Sequence, residues 1–221
     1  MAVKVIEVNK DIFAFNDEMA EKVRGINKEN KTFMVNIMAS PGAGKTTTLL
    51  RAIEDLKEDF QIGVMEADIE ATVDAEVMEK AGVKSIQIHT GGECAMTAEM
   101  VMQGLMEFDT KDMDILFLEN VGNLVCPAEE DTGASINVAI LSVPEGDDKP
   151  LKYPLMFEVC QAVIINKIDT KMYFKFDDEA VKKRIKDLNP KAEIFFVSAK
   201  TGEGVKEWTN CLKDKAGEWN K

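Results

Sequence analysis

The sequence predicts an α/β fold in which an open, mostly parallel β-sheet is covered by helices on both faces. Short apolar runs that are typical of buried strands alternate along the chain with segments of helical periodicity. The stretch TFMVNIMASPGAGKTTTLL at 32–50 has the order strand, glycine-containing loop and helix. Because the 221 residues show no internal repeat or low-complexity segment, we expect one domain over 1–221. It would consist of an N-terminal helical appendage at 1–30 and a core at 32–221.

The composition argues against several classes of protein. The formal net charge of −13 disfavours a nucleic-acid partner, which would need clustered Lys and Arg. The N-terminus MAVKVIEVNKD lacks the basic and apolar regions of a signal peptide, and no window approaches the roughly 20 apolar residues of a membrane-spanning helix. We therefore expect a cytoplasmic protein without membrane association. Its four cysteines, at 94, 126, 160 and 211, are expected to be reduced thiols.

Residues 8–29 have the periodicity of an amphipathic helix. We expect this helix to pack beside the first strand through its apolar face. A dimer or partner surface is an alternative use of the same face. The apolar positions at helical spacing are Ile12, Phe15, Met19, Val23 and Ile26.

The stretch at 32–50 has the features of a phosphate-binding loop. A buried strand at 33–38 leads into small residues, whose backbone N–H groups can wrap closely around a phosphate. Lys45 would reach the β- and γ-phosphates, and the Thr46 hydroxyl would bind Mg²⁺. Ala39 stands where the motif has its first glycine. The candidate nucleotide-binding residues of this loop are Gly42, Ala43, Gly44, Lys45, Thr46 and Thr47.

An acidic segment after the second strand is a candidate switch that responds to a nucleotide. A helix at 46–56 leads to a strand at 61–66, and the polar run beyond it follows the carboxyl end, where open parallel sheets bind ligands. Asp68 would hold the magnesium shell or orient the attacking water. Asp74 is a second candidate for the same roles, although a helix N-cap explains it equally well.

A second candidate switch follows the fourth strand. A third strand at 84–89 runs through a Gly-Gly turn into a helix, and the apolar run at 114–119 then indicates a central parallel strand. Glu119 at its end would hold Mg²⁺ through water, and the Gly122 N–H could sense a γ-phosphate. The candidate catalytic residues are therefore Lys45, Asp68, Glu119 and Gly122.

The C-terminal half contains a candidate guanine site. A strand at 136–143 precedes an apolar strand that ends in Asn-Lys-Ile-Asp, and a closing helix is expected at 203–217. The Asp169 carboxylate can accept hydrogen bonds from N1–H and the exocyclic amine of guanine, a donor pair that adenine lacks. Lys167 would cover the base, and Asn166 would tie the loop to its neighbours. The candidate base-binding residues are Asn166, Lys167 and Asp169, with Ser198, Ala199 and Lys200 in the loop after the last strand, which can offer a backbone N–H to guanine O6.

The chain resembles the HypB family of nickel-incorporation GTPases, which is related to the urease accessory GTPase UreG. Six motifs support the resemblance, which covers nearly the whole chain: SPGAGKTT, GGEC, ENVGNLVCPAE, EGDDKPLKYP, NKID and SAKTGEG. It implies a GTPase that uses GTP, GDP and Mg²⁺ and forms a homodimer when GTP is bound. With a HypA-like metallochaperone, such a protein delivers nickel to the large-subunit precursor of [NiFe]-hydrogenase. The resemblance also implies a nickel or zinc site at the dimer interface, built from Cys94 and Cys126, with Lys152 near the nucleotide or the partner subunit.

This chain departs from the family pattern at the implied metal site. Ala95 and Glu99 stand where the family has histidines, and the sequence shows no Cys-rich N-terminal nickel motif. Glu93 or Glu99 can substitute as carboxylate ligands. His89, the single histidine, is expected to be a packed or capping residue. Two thiolates from each subunit would give the four sulfurs that suit zinc in a tetrahedron or nickel in a plane.

Several functions stay open at this point. The first is a GTPase that delivers nickel, and the second is a GTP-gated scaffold that docks a metallochaperone and binds no functional metal itself. A maturation GTPase for another metalloenzyme, such as urease or a cobalamin-dependent mutase, is a third alternative. Cys160 and Cys211 have apolar sequence neighbours, so we expect both to be core thiols without a metal role.

Overall fold

A seven-stranded sheet forms the centre of the protein. The computed structural model describes residues 9–68 and 82–219. The strands are β1 (Phe33–Ala39), β2 (Ile62–Asp68), β3 (Lys84–His89), β4 (Ile115–Glu119), β5 (Ile136–Ser142), β6 (Ala162–Asn166) and β7 (Glu193–Phe196). They lie in the order β3-β2-β4-β1-β5-β6-β7, and each neighbouring pair is parallel. The carboxyl ends of all these strands therefore meet at one edge of the sheet.

Helices connect the strands. Within the described ranges they are α1 (Asn9–Glu29), α2 (Lys45–Leu56), α3 (Ala98–Glu107), α4 (Cys126–Glu129), α5 (Lys149–Lys152), α6 (Pro154–Glu158), α7 (Asp178–Leu188) and α8 (Val205–Trp219). Two 3₁₀-helices, Val143–Glu145 and Ile168–Tyr173, follow β5 and β6. No helix in this part of the chain has both the length and the apolar character that crossing a membrane requires.

Both faces of the sheet are covered, as the sequence predicts. On one face, α2 and α8 pack against the central strands, and Trp208 is the largest side chain that is fully buried there. On the other face, α1 and α3 pack over Met34, Met65 and Leu116, while α6 and α7 cover β5 and β6. Strands covered on both sides are mostly apolar, and β1 and β4 are buried along their whole length. The predicted fold class is confirmed.

The predicted N-terminal helix is confirmed as α1, but one residue of its predicted apolar face is wrong. Met19, Val23 and Ile26 pack against the core, whereas the Phe15 side chain is 55% exposed. The side chain of Ile12 lies outside the described residues. Phe15 is displaced because polar residues occupy part of the buried stripe, which consists of Asn16, Ala20, Val23 and Asn27.

Polar contacts attach α1 to the remainder of the fold. The Asn16 side chain donates to the Asp131 carbonyl at 2.8 Å and accepts from the Ala98 N–H at 2.9 Å. Arg24 donates to both carboxylate oxygens of Asp131, each at 2.9 Å. Helix α1 is thus hydrogen-bonded to the N-terminus of α3 and to the segment after α4. The division into an appendage at 1–30 and a core at 32–221 stays a prediction.

The ion pair between Arg24 and Asp131 predicts an acid-sensitive attachment of α1. Burial opposes the charge of Asp131, but hydrogen bonds from Arg24 and from the Gly133 N–H outweigh burial and lower its pKa below the usual 3.8. The folded protein therefore binds fewer protons at this site than the unfolded chain. This contribution to the free energy of unfolding is present above about pH 4 and is lost as pH falls through the lowered pKa.

We expect Asp131→Asn to lower the free energy of unfolding by roughly 1 kcal/mol at pH 7 and to flatten its decrease below pH 4. Urea titrations at pH 7 and pH 3.5 measure both effects. Glu21→Gln is the matched control, because Glu21 is an exposed partner of the same Arg24. An acid-induced decrease of equal size in the parent and in Asp131→Asn would contradict this assignment.

Candidate functional site

The loop between β1 and α2 has a backbone that suits a bound phosphate. Gly42 and Gly44 have φ angles of 76° and 97°, which glycine adopts without strain. Helix α2 begins at Lys45, and Thr46 and Thr47 lie in its first turn. Its N-cap, Gly44, has no side chain that could cap the N–H groups of this turn. Those groups are thus suited to bind an anion.

A buried asparagine joins this loop to the predicted base-binding segments. Asn166 is 2% exposed. Its amide nitrogen donates to the Ala43 carbonyl at 2.9 Å, and its amide oxygen accepts from the Ala199 N–H at 3.1 Å. Lys167, whose φ is 62°, donates through Nζ to the Gly42 carbonyl at 2.5 Å. The structure therefore brings three separate sequence motifs together around Asn166.

The loop after β7 is held on two sides. The Ser198 hydroxyl donates to an Asp169 carboxylate oxygen at 2.7 Å. Arg51 on α2 donates to the Ala199 carbonyl at 2.9 Å and to the Lys200 carbonyl at 3.3 Å. A cavity of about 230 Å³ opens between these segments. It is lined by Gly44, Thr47, Asn166, Lys167, Asp169, Thr170, Ala199 and Lys200.

The end of β4 lies against the phosphate loop. The Thr46 hydroxyl donates to a Glu119 carboxylate oxygen at 2.9 Å, and Glu119 is 5% exposed. The backbone of Gly122 also approaches the loop. A Cβ atom added there would lie 3.2 Å from Pro41 Cγ and 3.4 Å from Lys45 Nζ. The predicted residues Lys45, Thr46, Glu119 and Gly122 are therefore neighbours.

The two acids of the first candidate switch are described only in part. Asp68 is the last residue of β2 and pairs in register with His89 on β3. Its side chain, and the whole of Asp74, lie outside the described residues. Their predicted roles stay predictions.

Glu66 is a site residue that the sequence analysis missed. It is 4% exposed and pairs in register with Glu119 on the neighbouring strand. Partner residues in a parallel pair project on the same face, so both carboxylates lie on the α2 side of the sheet. The available signal was an acid at the end of the predicted apolar strand at 61–66.

The oxygen donors at this edge fit Mg²⁺. A hard divalent cation prefers hydroxyl, carboxylate and water ligands, and Thr46 and Glu119 supply the first two in direct contact with each other. Glu66 adds a second buried carboxylate on the same face. The donor set thus agrees with a magnesium site beside the phosphate loop.

The cysteines differ from expectation. The structure joins Cys94 and Cys126 in a disulfide, so the prediction of four reduced thiols is wrong for this pair. The reason is proximity: the loop before α3 and the N-terminus of α4 lie side by side.

Cys160 is free and buried, as predicted. Cys211 is free but only half-buried, and its sulfur lies 3.5 Å from a Glu193 carboxylate oxygen, so its predicted place in an apolar core is wrong. Burial and the Glu193 charge raise the pKa of the Cys211 thiol to about 12.

Carboxylates lie close to both cysteines in sequence. The pKa of Glu130 is raised by burial and by the negative charges of Glu129, Asp17 and Glu93. Glu93 immediately precedes Cys94 in sequence, and Glu129 and Glu130 follow α4's Cys126 by three and four positions. The resulting negative potential attracts cations to the pair.

Other candidate ligands are less well placed. Ala95 is buried, Glu99 lies exposed in the first turn of α3, and His89 is exposed at the end of β3 rather than packed. Among the described residues, no group of three or more His, Cys, Asp or Glu side chains is arranged to hold a metal ion. A single described chain therefore offers the two cysteines without further ligands.

Lys152, which the family resemblance implies near the nucleotide or the partner subunit, lies on α5. Its side chain is more than half exposed and pairs with Asp148 at 2.6 Å.

The parallel sheet, the glycine loop at the start of α2 and the cavity beside it define a nucleotide-binding protein of the P-loop class. Residues 33–196 match the family model described as the CobW/HypB/UreG nucleotide-binding domain. The chain belongs to this family.

Relatives in the HypB branch confirm the resemblance that the sequence motifs indicate. The hydrogenase maturation factor HypB of Escherichia coli K12 is 40% identical over 210 residues, which are 95% of this chain and 72% of that protein. The hydrogenase/urease maturation factor HypB of Helicobacter hepaticus is 41% identical, over 97% of this chain and 90% of that protein.

Solved structures agree with this placement. HypB from Archaeoglobus fulgidus superimposes with a TM-score of 0.86 at 38% identity, over 92% of this chain and 99% of that one. HypB from Helicobacter pylori, solved in complex with nickel, has a TM-score of 0.86 at 40% identity, over 92% of this chain and 95% of that one.

The contact between Gly44 and Asn166 gives a prediction for nucleotide binding. A Cβ atom added at Gly44 would lie 2.5 Å from Asn166 Nδ2, whereas one added at Gly42 would have no neighbour within 4 Å. Both glycines have positive φ, so Gly44→Ala and Gly42→Ala share a similar backbone strain of about 1 kcal/mol. Only Gly44→Ala must also displace an amide that makes two hydrogen bonds.

We therefore expect Gly44→Ala to weaken nucleotide binding about tenfold or more beyond Gly42→Ala. Titration with a fluorescent guanine nucleotide measures both dissociation constants. Equal losses in the two variants would show that the position of Asn166 is irrelevant to binding.

Proposed function

We propose that this protein is a Mg²⁺-dependent GTPase that helps to insert nickel into the large subunit of [NiFe]-hydrogenase. It would act as a GTP-dependent homodimer together with a HypA-like metallochaperone. The observation that supports this most directly is the Asn166 carboxamide, which holds the phosphate loop and the predicted base loop at once. The names of its HypB relatives support the maturation role.

The geometry of Asp169 favours guanine. The Ser198 hydroxyl donates to one carboxylate oxygen of Asp169, which fixes the orientation of the carboxylate at the wall of the cavity. A guanine there presents two adjacent donors to Asp169, whereas adenine would place an acceptor against a negative charge. Lys167 lies close by with its Nζ on the Gly42 carbonyl, so its methylene chain can cover the base.

The proposed hydrolysis relies on positioned charge. Lys45 would neutralise charge on the β- and γ-phosphates, and the Gly122 N–H, held near Lys45, would donate to the γ-phosphate. Thr46, Glu119 and Asp68 would hold Mg²⁺ directly or through water. Mg²⁺ held there would further neutralise the phosphate charge. As an alternative role, Asp68, the last residue of β2, would orient the attacking water.

The proposed nickel site needs the cysteines in reduced form. A reducing dithiol supplies two electrons and two protons to the Cys94–Cys126 disulfide, so the S–S bond breaks, two thiols form and the dithiol becomes a disulfide. Loss of the protons gives the thiolates that ligate metal. Two chains related by a two-fold axis would bring four such sulfurs together, and the carboxylates of Glu93 and Glu130 would favour approach of a divalent cation.

The scaffold alternative also has an observation in its favour. Ala95 and Glu99 replace the histidines of the family pattern, and the described part of one chain has no third ligand beside the cysteines. In that case GTP would gate the docking of a metallochaperone, and the metal would stay with the partner. Hydrogenase maturation in cells carrying Cys94→Ala and Cys126→Ala would be retained if the protein is a scaffold, and lost if it holds the nickel.

Asp169→Asn should change the base preference from guanine to xanthine. The carboxamide can donate to a xanthine oxygen but repels the guanine amine, so we expect GTP binding to weaken by roughly 100-fold and xanthosine triphosphate binding to improve. Competition against a fluorescent nucleotide measures both affinities. Asp187→Asn, a change at an exposed ion pair on α7, is the matched control. An unchanged preference for GTP in Asp169→Asn would rule out the guanine assignment.

Metal content should depend on nucleotide, reduction and Cys94. We expect reduced protein with a non-hydrolysable GTP analogue to bind about half an equivalent of nickel or zinc per chain in a dimer. Cys94→Ala should abolish this binding, and Cys211→Ala should retain it. Metal titration with parallel mass measurement tests both. A GTP-dependent dimer that binds neither metal would support the scaffold function instead.

A further inference from the structure

Asn120 lies between the proposed nucleotide site and the Cys94–Cys126 pair. It directly follows β4 and is 1% exposed. Its backbone N–H donates to the Ile37 carbonyl on β1 at 3.0 Å, which fixes its place at the edge of the sheet. Its side chain points away from solvent into a network of buried amides. This residue is part of neither the proposed nucleotide site nor the cysteine pair.

The Asn120 carboxamide makes hydrogen bonds in two directions. Its oxygen accepts from the Val121 N–H at 2.8 Å and from the Met96 N–H at 3.1 Å. Its nitrogen donates to the Asn36 amide oxygen at 3.1 Å, and Asn36 donates in turn to Asn137 at 2.9 Å. Both partners of this oxygen are N–H donors, so the carboxamide must direct its oxygen, and not its nitrogen, toward them.

The two N–H groups belong to functionally different segments. Val121 precedes Gly122, whose backbone lies beside Lys45 and the phosphate loop. Met96 follows Cys94 by two positions and is fully buried, so the loop after Cys94 is anchored at that point. One oxygen atom therefore contacts both the segment that is proposed to approach the γ-phosphate and the segment that contains Cys94, a proposed metal ligand.

We propose that Asn120 is a positioning residue that couples the nucleotide state to the separation of Cys94 and Cys126. This inference rests on the proposed function. A γ-phosphate that attracts the Gly122 N–H shifts the Val121 amide, and the shared Asn120 oxygen then shifts the Met96 amide with it. Cys126 lies on the Gly122 side of this link and Cys94 on the Met96 side. Cys126 follows Val121 by five positions and Cys94 precedes Met96 by two, so the same displacement reaches the two cysteines through segments of different length and changes their separation.

Asparagine is suited to this role because it needs both acceptor and donor. Alanine at this position would leave the Val121 and Met96 N–H groups and the Asn36 oxygen without these bonds, and buried groups that lose their partners are costly. Asn36→Ala is a matched control. It removes a buried amide from the same network and leaves the two bonds to the Asn120 oxygen possible.

The equilibrium between the Cys94–Cys126 disulfide and its dithiol form reports the separation without any metal. We would measure the equilibrium constant for reduction by dithiothreitol in the full chain, loaded with GDP and then with a non-hydrolysable GTP analogue. The parent should show a change of at least threefold between the two nucleotides. Asn120→Ala should show less than a 1.5-fold change while still binding both nucleotides and forming the dimer. Asn36→Ala should keep the change of the parent.

Retention of the full nucleotide effect in folded Asn120→Ala would overturn the proposal, as would a parent that binds both nucleotides and shows no effect. A parent that binds no guanine nucleotide would instead overturn the proposed function, so the two failures are distinguishable. If Asn120→Ala does not fold, amide hydrogen exchange in the parent protein tests the proposal instead. The exchange rates of Met96 and Val121 should change together between GDP and the GTP analogue, and an unchanged Met96 rate beside a changed Val121 rate would contradict the link.

Discussion

The proposed nucleotide cavity depends on one buried carboxamide. Asn166 donates to the phosphate loop and accepts from the loop after β7, so two segments from opposite ends of the chain are fixed relative to each other by a single side chain. A buried amide that makes both bonds is stable only in one arrangement, because any shift leaves a polar group without a partner. This constraint also explains the glycine at position 44, whose missing Cβ leaves space for the amide.

The sequence was sufficient for the sheet, since strands buried on both faces leave long apolar runs, and for the helices α1, α2, α3 and α8. It was not sufficient for α4, α5 and α6, each of four or five residues with proline at its first or second position. Such helices have no room for a periodic pattern, and proline usually indicates a break. Helix α7 also passed unnoticed, because only Val181 and Ile185 are buried along its 11 residues.

In the candidate site, motifs predicted which residues meet but not how. Asp169, Lys167 and the phosphate loop were predicted together, whereas the bridging bonds of Arg51 and the buried place of Glu66 depend on tertiary packing. The disulfide between Cys94 and Cys126, 32 residues apart, follows from loops that only the folded chain brings together. Phe15 was misplaced because asparagines, which a hydrophobic pattern ignores, occupy the buried stripe of α1. Each failure reflects a contact between segments distant in sequence.

Arg51 connects helix α2 to the loop after β7. The helix begins with Lys45 at the phosphate end, and Arg51, six residues later, is hydrogen-bonded to the loop that is proposed to meet the base. Six residues of α-helix span about 9 Å, and a helix hardly stretches or shortens. In the proposed nucleotide site, helix α2 would therefore set a fixed distance between the two ends of the cavity. A free nucleobase or free pyrophosphate would match only one end of it, and only a ligand of the full length can satisfy both.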